Sequence, residues 1–328
     1  MRFDNRALTN EARSSLAGTS YDHRRTVLIH AGAACLANVL VALLAFWMDR
    51  QIGTTGGIGG ADRRALLTTV KTTAQVLLFF FLLFWSFSYT SISIDLAREN
   101  MPEKDCLLDG FRNIKSILRL TLLKGFLIGG ILFFSIQAAS FLFCMTPWAK
   151  PLIGFTELYL GSTDYQAMEE ALMAVIEEVR LPMMILTCVA FVGLGIPMLY
   201  RFRLADLVLM EDPSVGALRA LTGSARLLRH RCGALLRLDL HFWWYHLPWL
   251  LCFLLGNVTF FSYLFGIPLP FDEEIVSLVS VVASSLGIFL LSVWKKNLVR
   301  LTYVNAFDLL QKPRRSPTPQ PGRQPWKY

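Results

Sequence analysis

Asp239, His241 and His246 enter one apolar stretch beside Trp243, Trp244 and Tyr245. A carboxylate and two imidazoles at membrane depth would suit metal ligation or proton transfer. The two histidines stand five residues apart, however, which puts them on different faces of a helix. A two-histidine metal helix needs a spacing of four, and the aromatic neighbours fit an interfacial belt instead. Other catalytic patterns are missing from the sequence: no Gly-x-Ser-x-Gly elbow, no phosphate-binding loop, no paired carboxylates within the apolar stretches. Gly53–Gly60 lacks the spacing of a nucleotide fingerprint and reads as a linker. Cys35, Cys106, Cys144, Cys188, Cys232 and Cys252 form no Cys-x-x-Cys pair, so a zinc ribbon or thioredoxin-like motif is excluded. The expectation is a chain with no catalytic residue, no cofactor and no metal site.

Two further carboxylates stand at corresponding places. Tyr89, Asp95 and Pro102 recur with the same spacings as Tyr200, Asp206 and Pro213, in YTSISIDLARENMP and YRFRLADLVLMEDP. Each copy ends an apolar stretch, turns at a proline and starts an amphipathic segment. That order predicts a parallel internal repeat about an axis along the membrane normal. Asp95 and Asp206 are expected to be structural clasps, pairing with Arg98, Arg112, Arg203 or Arg219, because a rim charge that finds a cation is cheap to keep.

The elements that hold these residues are apolar. Of 328 residues, 54% are hydrophobic and 17% charged, and the mean hydropathy is +0.46. A soluble domain carries about 25% charge. Stretches of about 20 apolar residues cross a bilayer as helices, and six are expected: 26–47, 72–94, 120–145, 181–200, 238–263 and 275–294. The fourth contains Pro182 and Pro197, the fifth Pro248.

Loop charges set the orientation. Arg98, Lys104, Arg112, Lys115 and Arg119 follow the second span, and Arg201, Arg203, Arg219, Arg226, Arg229, Arg231 and Arg237 follow the fourth. Loop 146–180 is acidic, loop 264–274 has no base, and loop 48–71 dissents mildly. Both termini are therefore expected in the cytoplasm. The expected organisation is a cytoplasmic segment at 1–25, a six-span membrane domain at 26–311, and a disordered basic, Pro-rich tail at 312–328. The fold class is all-α, a polytopic transmembrane bundle with two cytoplasmic amphipathic helices. Gly125 and Gly129 form a Gly-x-x-x-Gly pair, and Ala283 and Gly287 a small-x-x-x-small pair, each suited to packing within the chain, the favoured role, or to dimerisation.

The amphipathic segments carry the binding chemistry. Leu107, Leu108, Phe111, Ile114, Ile117 and Leu118 follow helical spacing. From about Ser214, Leu221, Ala225, Leu228, Cys232 and Leu235 form one stripe, with Arg219, Arg226, His230 and Arg237 on the opposite face. Such a geometry suits anionic lipid headgroups or an acidic partner, although basic faces also follow from topology alone. The net charge of +8 comes with no nucleic-acid-binding motif, so nucleic acid is not an expected partner. A second copy of the chain or another membrane protein is.

The runs DLARENMPEKDCLLDGFRNIKSILRLTLLKGF (95–126) and SARLLRHRCGALLRLDLHFWW (224–244) resemble an uncharacterised bacterial membrane family, domain of unknown function number 975. Gly110-Phe111-Arg112 matches its helix after the second span. Ser224, Leu227, Leu228, Leu235, Leu238, Leu240, Phe242 and Trp244 match the signature before the fifth. The resemblance covers most of residues 70–310. It departs at His230-Arg231-Cys232, where the family glycine is displaced to Gly233, and at Trp243, where a small residue is usual. The resemblance implies six spans in a bacterial plasma membrane and no chemistry. The expected function is a non-enzymatic scaffold, lipid-interacting or assembly-accessory protein. A small-solute or lipid transporter built on the repeat is the alternative, limited by few mid-membrane polar residues beyond Gln137, Asn257 and Ser284.

Overall fold

A computed structural model describes residues 4–19, 22–54, 60–100, 102, 104–161, 165–266, 268 and 271–311. The basic tail and most of the glycine linker lie outside these residues. Among them the chain is helical, without strands. In order the helices are α1 (Asn5–Gly18), α2 (His23–Thr54), α3 (Gly60–Ala97), α4 (Asp109–Arg112), α5 (Ile114–Cys144), α6 (Lys150–Gly161), α7 (Tyr165–Ala190), α8 (Ile196–Arg201), α9 (Ala205–Glu211), α10 (Ala217–Leu228), α11 (Cys232–His241), α12 (Trp243–Gly256), α13 (Val258–Phe265) and α14 (Glu273–Gln311). Five helical segments are long and apolar enough to cross a membrane. A sixth arises if α12 and α13, bent by 72°, count as one. The chain is an all-α, multi-pass membrane protein.

Outside α3, the apolar spans hold few buried side chains. Phe126, Phe134 and Leu122 on α5 are 79%, 68% and 65% exposed, and Val189 on α7 is 64% exposed. In water such a surface would be untenable; in a bilayer acyl chains cover it.

The chain forms two compact units. Residues 1–117, 206–213 and 233–328 form one, which holds α1–α4, most of α9 and α11, and α12–α14. Its densest core gathers Ala12, Ile92, Leu96, Cys106, Leu298 and Leu301. Helix α1 supplies Ala12 to this core. Asp4 caps α1 by accepting from the Arg6 and Ala7 amides. The other unit, residues 118–205 and 214–232, holds the rest of α5, then α6–α8 and α10. Its Ser224, fully buried, donates to the Arg201 carbonyl at 2.8 Å and accepts from the Leu204 amide at 3.2 Å. That single hydroxyl fastens α10 to the turn after α8.

Several elements differ from the expected ones. Residues 150–161 of the acidic loop form α6, and α7 runs without interruption through Pro182. Pro197 lacks an amide to offer the preceding turn, and residues 191–195 widen into a π turn just before it. The first amphipathic segment is no separate helix. It is a 3-10 turn (Lys104–Leu108), the four residues of α4, and a break at Asn113, after which Ile114 starts α5. The second breaks at 229–231, where the Arg231 amide bonds back to the Leu228 carbonyl at 3.0 Å. The fifth span bends at Asn257, whose side-chain amide bonds the Phe253 carbonyl at 2.8 Å. The two Pro-marked copies share an element order but not a backbone: α3 runs straight past Tyr89 to Ala97, whereas the chain turns two residues after Tyr200.

Small residues also divide. A side chain at Gly125 or Gly129 would meet nothing within 4 Å among the described residues, so this pair mediates no close helix approach within its unit. A side chain at Gly287 would lie 2.5 Å from Cys252 Sγ, so α12 and α14 do use that glycine to approach.

Candidate functional site

A polar constellation in the first unit, on α2, α3 and α14, centres on Lys296. His30 Nε2 lies 2.9 Å from the Trp85 carbonyl oxygen, and Trp85 Nε1 donates to the His30 carbonyl at 2.8 Å. A carbonyl only accepts, so Nε2 carries the proton and Nδ1 keeps a lone pair. Lys296 Nζ, 3.2 Å from Nδ1, donates to it. The same ammonium sits 4.5 Å above the Tyr89 ring, a favourable placement for a cation. Tyr89 is 2% exposed, and its hydroxyl donates to Asn297 Oδ1, whose amide in turn donates to the His23 carbonyl at 3.1 Å. One turn on, Arg300 donates to Thr90 Oγ1 at 2.6 Å. Among the described residues neither Lys296 nor Arg300 forms an ion pair with a carboxylate.

Lys296 lines a cavity of about 270 Å³ with His30, Asn38, Asn257, Ser284, Ser285 and Ser292 among its walls. Residues 281, 285, 288, 292 and 296 fall three or four apart, so one stripe of α14 faces it. A second cavity of about 200 Å³ shares Asn38 and Val281 with the first and reaches Asp49, Lys71 and Glu274. There Lys71 pairs with Asp49 at 2.6 Å. Asn257 and Ser284, two of the mid-membrane polar residues expected from sequence, meet at the first cavity, while Gln137 is exposed on α5.

Asp239 and His246 are brought together by a residue that sequence reading had not selected. The Tyr303 hydroxyl donates to Asp239 Oδ1, and His246 Nε2 lies 3.2 Å from the same hydroxyl oxygen. With the hydroxyl proton directed at Asp239, His246 is the donor. His241 points elsewhere, edge-on to Phe242.

Asp95 and Asp206 are both half-buried. Asp95 accepts a long thiol contact from Cys106 at 3.9 Å, and Asp206 lies in the first turn of α9. Arg98 joins other acids: Glu211 at 2.6 Å and Asp308 at 2.8 Å. Gln311 donates to the same Glu211 carboxylate at 2.6 Å. Hydrogen bonding to Asp308, with Glu211 adding to it, raises the Arg98 guanidinium above its already high ordinary range. A raised folded value stabilises the fold at all pH below the unfolded value, so Arg98 holds this cluster throughout any working range.

In the second unit, α10 buries Ala217, Ala220, Leu221, Ser224 and Leu228. Arg219, Arg226 and His230 are exposed. They form no ion pair among the described residues. An apolar groove of about 260 Å³ in this unit is lined by Leu127, Ile128, Leu199 and Phe202, with Lys124 and Arg203 at its edge. Arg237 is exposed on α11 in the first unit, where its carbonyl accepts from the Asn5 side chain at 3.2 Å.

Sequence reasoning missed the Lys296 centre because its partners are far apart along the chain. His30 and Lys296 are 266 residues apart. The available signal was local: Lys296, Ser292 and Ser285 share one helical face at the end of an otherwise apolar span. No family model, curated protein or solved structure matches the chain.

Proposed function

We propose that this chain is a non-enzymatic protein of a bacterial plasma membrane, of the uncharacterised family it resembles, crossing six times with both termini in the cytoplasm. Its role is that of a lipid-interacting scaffold or assembly accessory. It works beside a second copy or another membrane protein, with anionic headgroups held by Arg219, Arg226 and His230 of the second unit. The observation that carries this reading is the exposed basic face of α10, without ion pairs among the described residues, on a helix whose other face is buried. A basic residue beside an anionic leaflet contributes roughly 1 kcal/mol. Replacing Arg219 and Arg226 by Gln should therefore weaken binding to anionic nanodiscs by about 2 kcal/mol, roughly 30-fold, with unchanged thermal stability. Unchanged binding would reduce the face to a topology signal.

Orientation has its own test. Single cysteines placed at Ser162 and Ser316, in an otherwise cysteine-free chain, should react with an impermeant maleimide from outside and only after lysis, respectively. The opposite pattern would invert the topology.

A second reading, a small-solute transporter, is favoured by the two cavities that meet at Asn38 and Val281. From His30 to Asp49 along α2 the rise is about 28 Å, close to the roughly 30 Å hydrocarbon core.

A further inference from the structure

We propose that the cavity between α2, α12 and α14 is a binding site for a small monovalent anion, a halide or a short carboxylate, held by the Lys296 ammonium. The inference deepens the transporter reading by naming its ligand class, yet it concerns binding and stands whether or not the anion crosses. An ammonium has three N–H groups. One is directed to His30 Nδ1 and another faces the Tyr89 ring. The third is left for an occupant of the cavity that Lys296 lines. The imidazole cannot supply a countercharge, because its protonated Nε2 is committed to the Trp85 carbonyl. Arg300, four residues on and outside the cavity lining, adds a second cation nearby and donates to the Thr90 hydroxyl. Two positive charges within a helical bundle, without a carboxylate, are costly unless an anion joins them.

The remaining walls are suited to that anion. The Ser284, Ser285 and Ser292 hydroxyls line the cavity and donate to no group among the described residues. This contrasts with Ser88, Ser93 and Ser135, which return their protons to the carbonyl four residues back. From Ser284 to Lys296 the cavity extends about 18 Å along α14. At about 270 Å³ it has room for a small ion. Gly256 sets its wall, since a side chain there would come within 2.7 Å of Ser284 Oγ.

The test uses the full chain in nanodiscs of phosphatidylcholine alone, with thermal unfolding followed while chloride or acetate replaces gluconate at constant ionic strength. Chloride or acetate should raise the Tm saturably. Lys296→Met should unfold no earlier than the parent in gluconate, because a buried charge is gone, and its response should be at least tenfold weaker in apparent affinity. Ser292→Ala, one helical turn from Lys296 on the same cavity wall, keeps the charge and should weaken the response about tenfold, which covers the case in which Lys296→Met fails to fold. Arg219→Gln with Arg226→Gln should leave the response intact, separating this site from the lipid face. No saturable response in the parent, or a full response in both the Lys296 and serine variants, would overturn the proposal. So would a response elicited by phosphatidylglycerol in anion-depleted buffer and lost in Lys296→Met, which would identify the occupant as a headgroup. Anion binding without flux in loaded liposomes would remove the transporter reading and leave the site standing.

Discussion

Gly110→Val should abolish the folded first unit, with a loss above about 3 kcal/mol and little monodisperse protein after extraction. Gly110 is buried in α4, and its amide donates to Ser88 Oγ at 2.9 Å. A Cβ at this position would fall on the Phe84 carbonyl oxygen of α3 and within 2.9 Å of its carbonyl carbon. A flexible side chain can move aside, but a helix carbonyl is fixed by its own ladder, so α4 must leave α3. Phe111 would go with it, out of its contacts with Phe81, Phe84 and Trp85. Trp85 stacks on His30, so the damage reaches the Lys296 centre. Ser88→Ala is the graded control. It leaves the space and removes the acceptor, stranding one buried amide at a cost of about 1–3 kcal/mol. Thermal unfolding of both variants should rank them in that order. A Gly110→Val protein as stable as its parent would mean that the close approach of α4 and α3 is not required.

The presence of Gly110 in a short motif was legible in the sequence; the reason for it was not. Spans could be read because a bilayer imposes length and apolarity on each helix independently of its neighbours. That is why the apolar centres of α2, α3, α5, α7 and α14 coincide with the expected stretches. Where tertiary contacts decide, the reading failed. Helix α14 runs 39 residues, well beyond a membrane thickness, because its C-terminal end packs with α1 in a core past its apolar stretch. The bend at Asn257 has no strong sequence signal, since Pro248, the expected breaker, lies inside an unbroken α12. The leucine stripe from Leu221 to Leu235 was visible and its buried members are buried. The chain break within it was not, because a 3-10 turn preserves the three- and four-residue spacing that signals a helix.

The same division predicts where mutation will hurt. Phe307→Ala should cost about 3–5 kcal/mol, and Phe126→Ala less than about 0.5 kcal/mol, although each removes the same ring. Phe307 is 0% exposed at the end of α14, where Leu301, Val304, Ala306 and Leu310 are also buried. Its removal loses the transfer free energy and leaves a cavity that the packed helix ends cannot close. Phe126 is 79% exposed on α5. In a bilayer its ring contacts acyl chains both before and after helices separate, so the folding equilibrium has little to lose. Hydropathy ranks the two residues equally, because it does not distinguish water from lipid as the medium outside. Unfolding both variants in the same nanodiscs, by heat or by denaturant, measures the difference directly. Equal losses would mean that α5 buries Phe126 against another protein surface, and the dimer or partner expected of this chain would then be sought on that face.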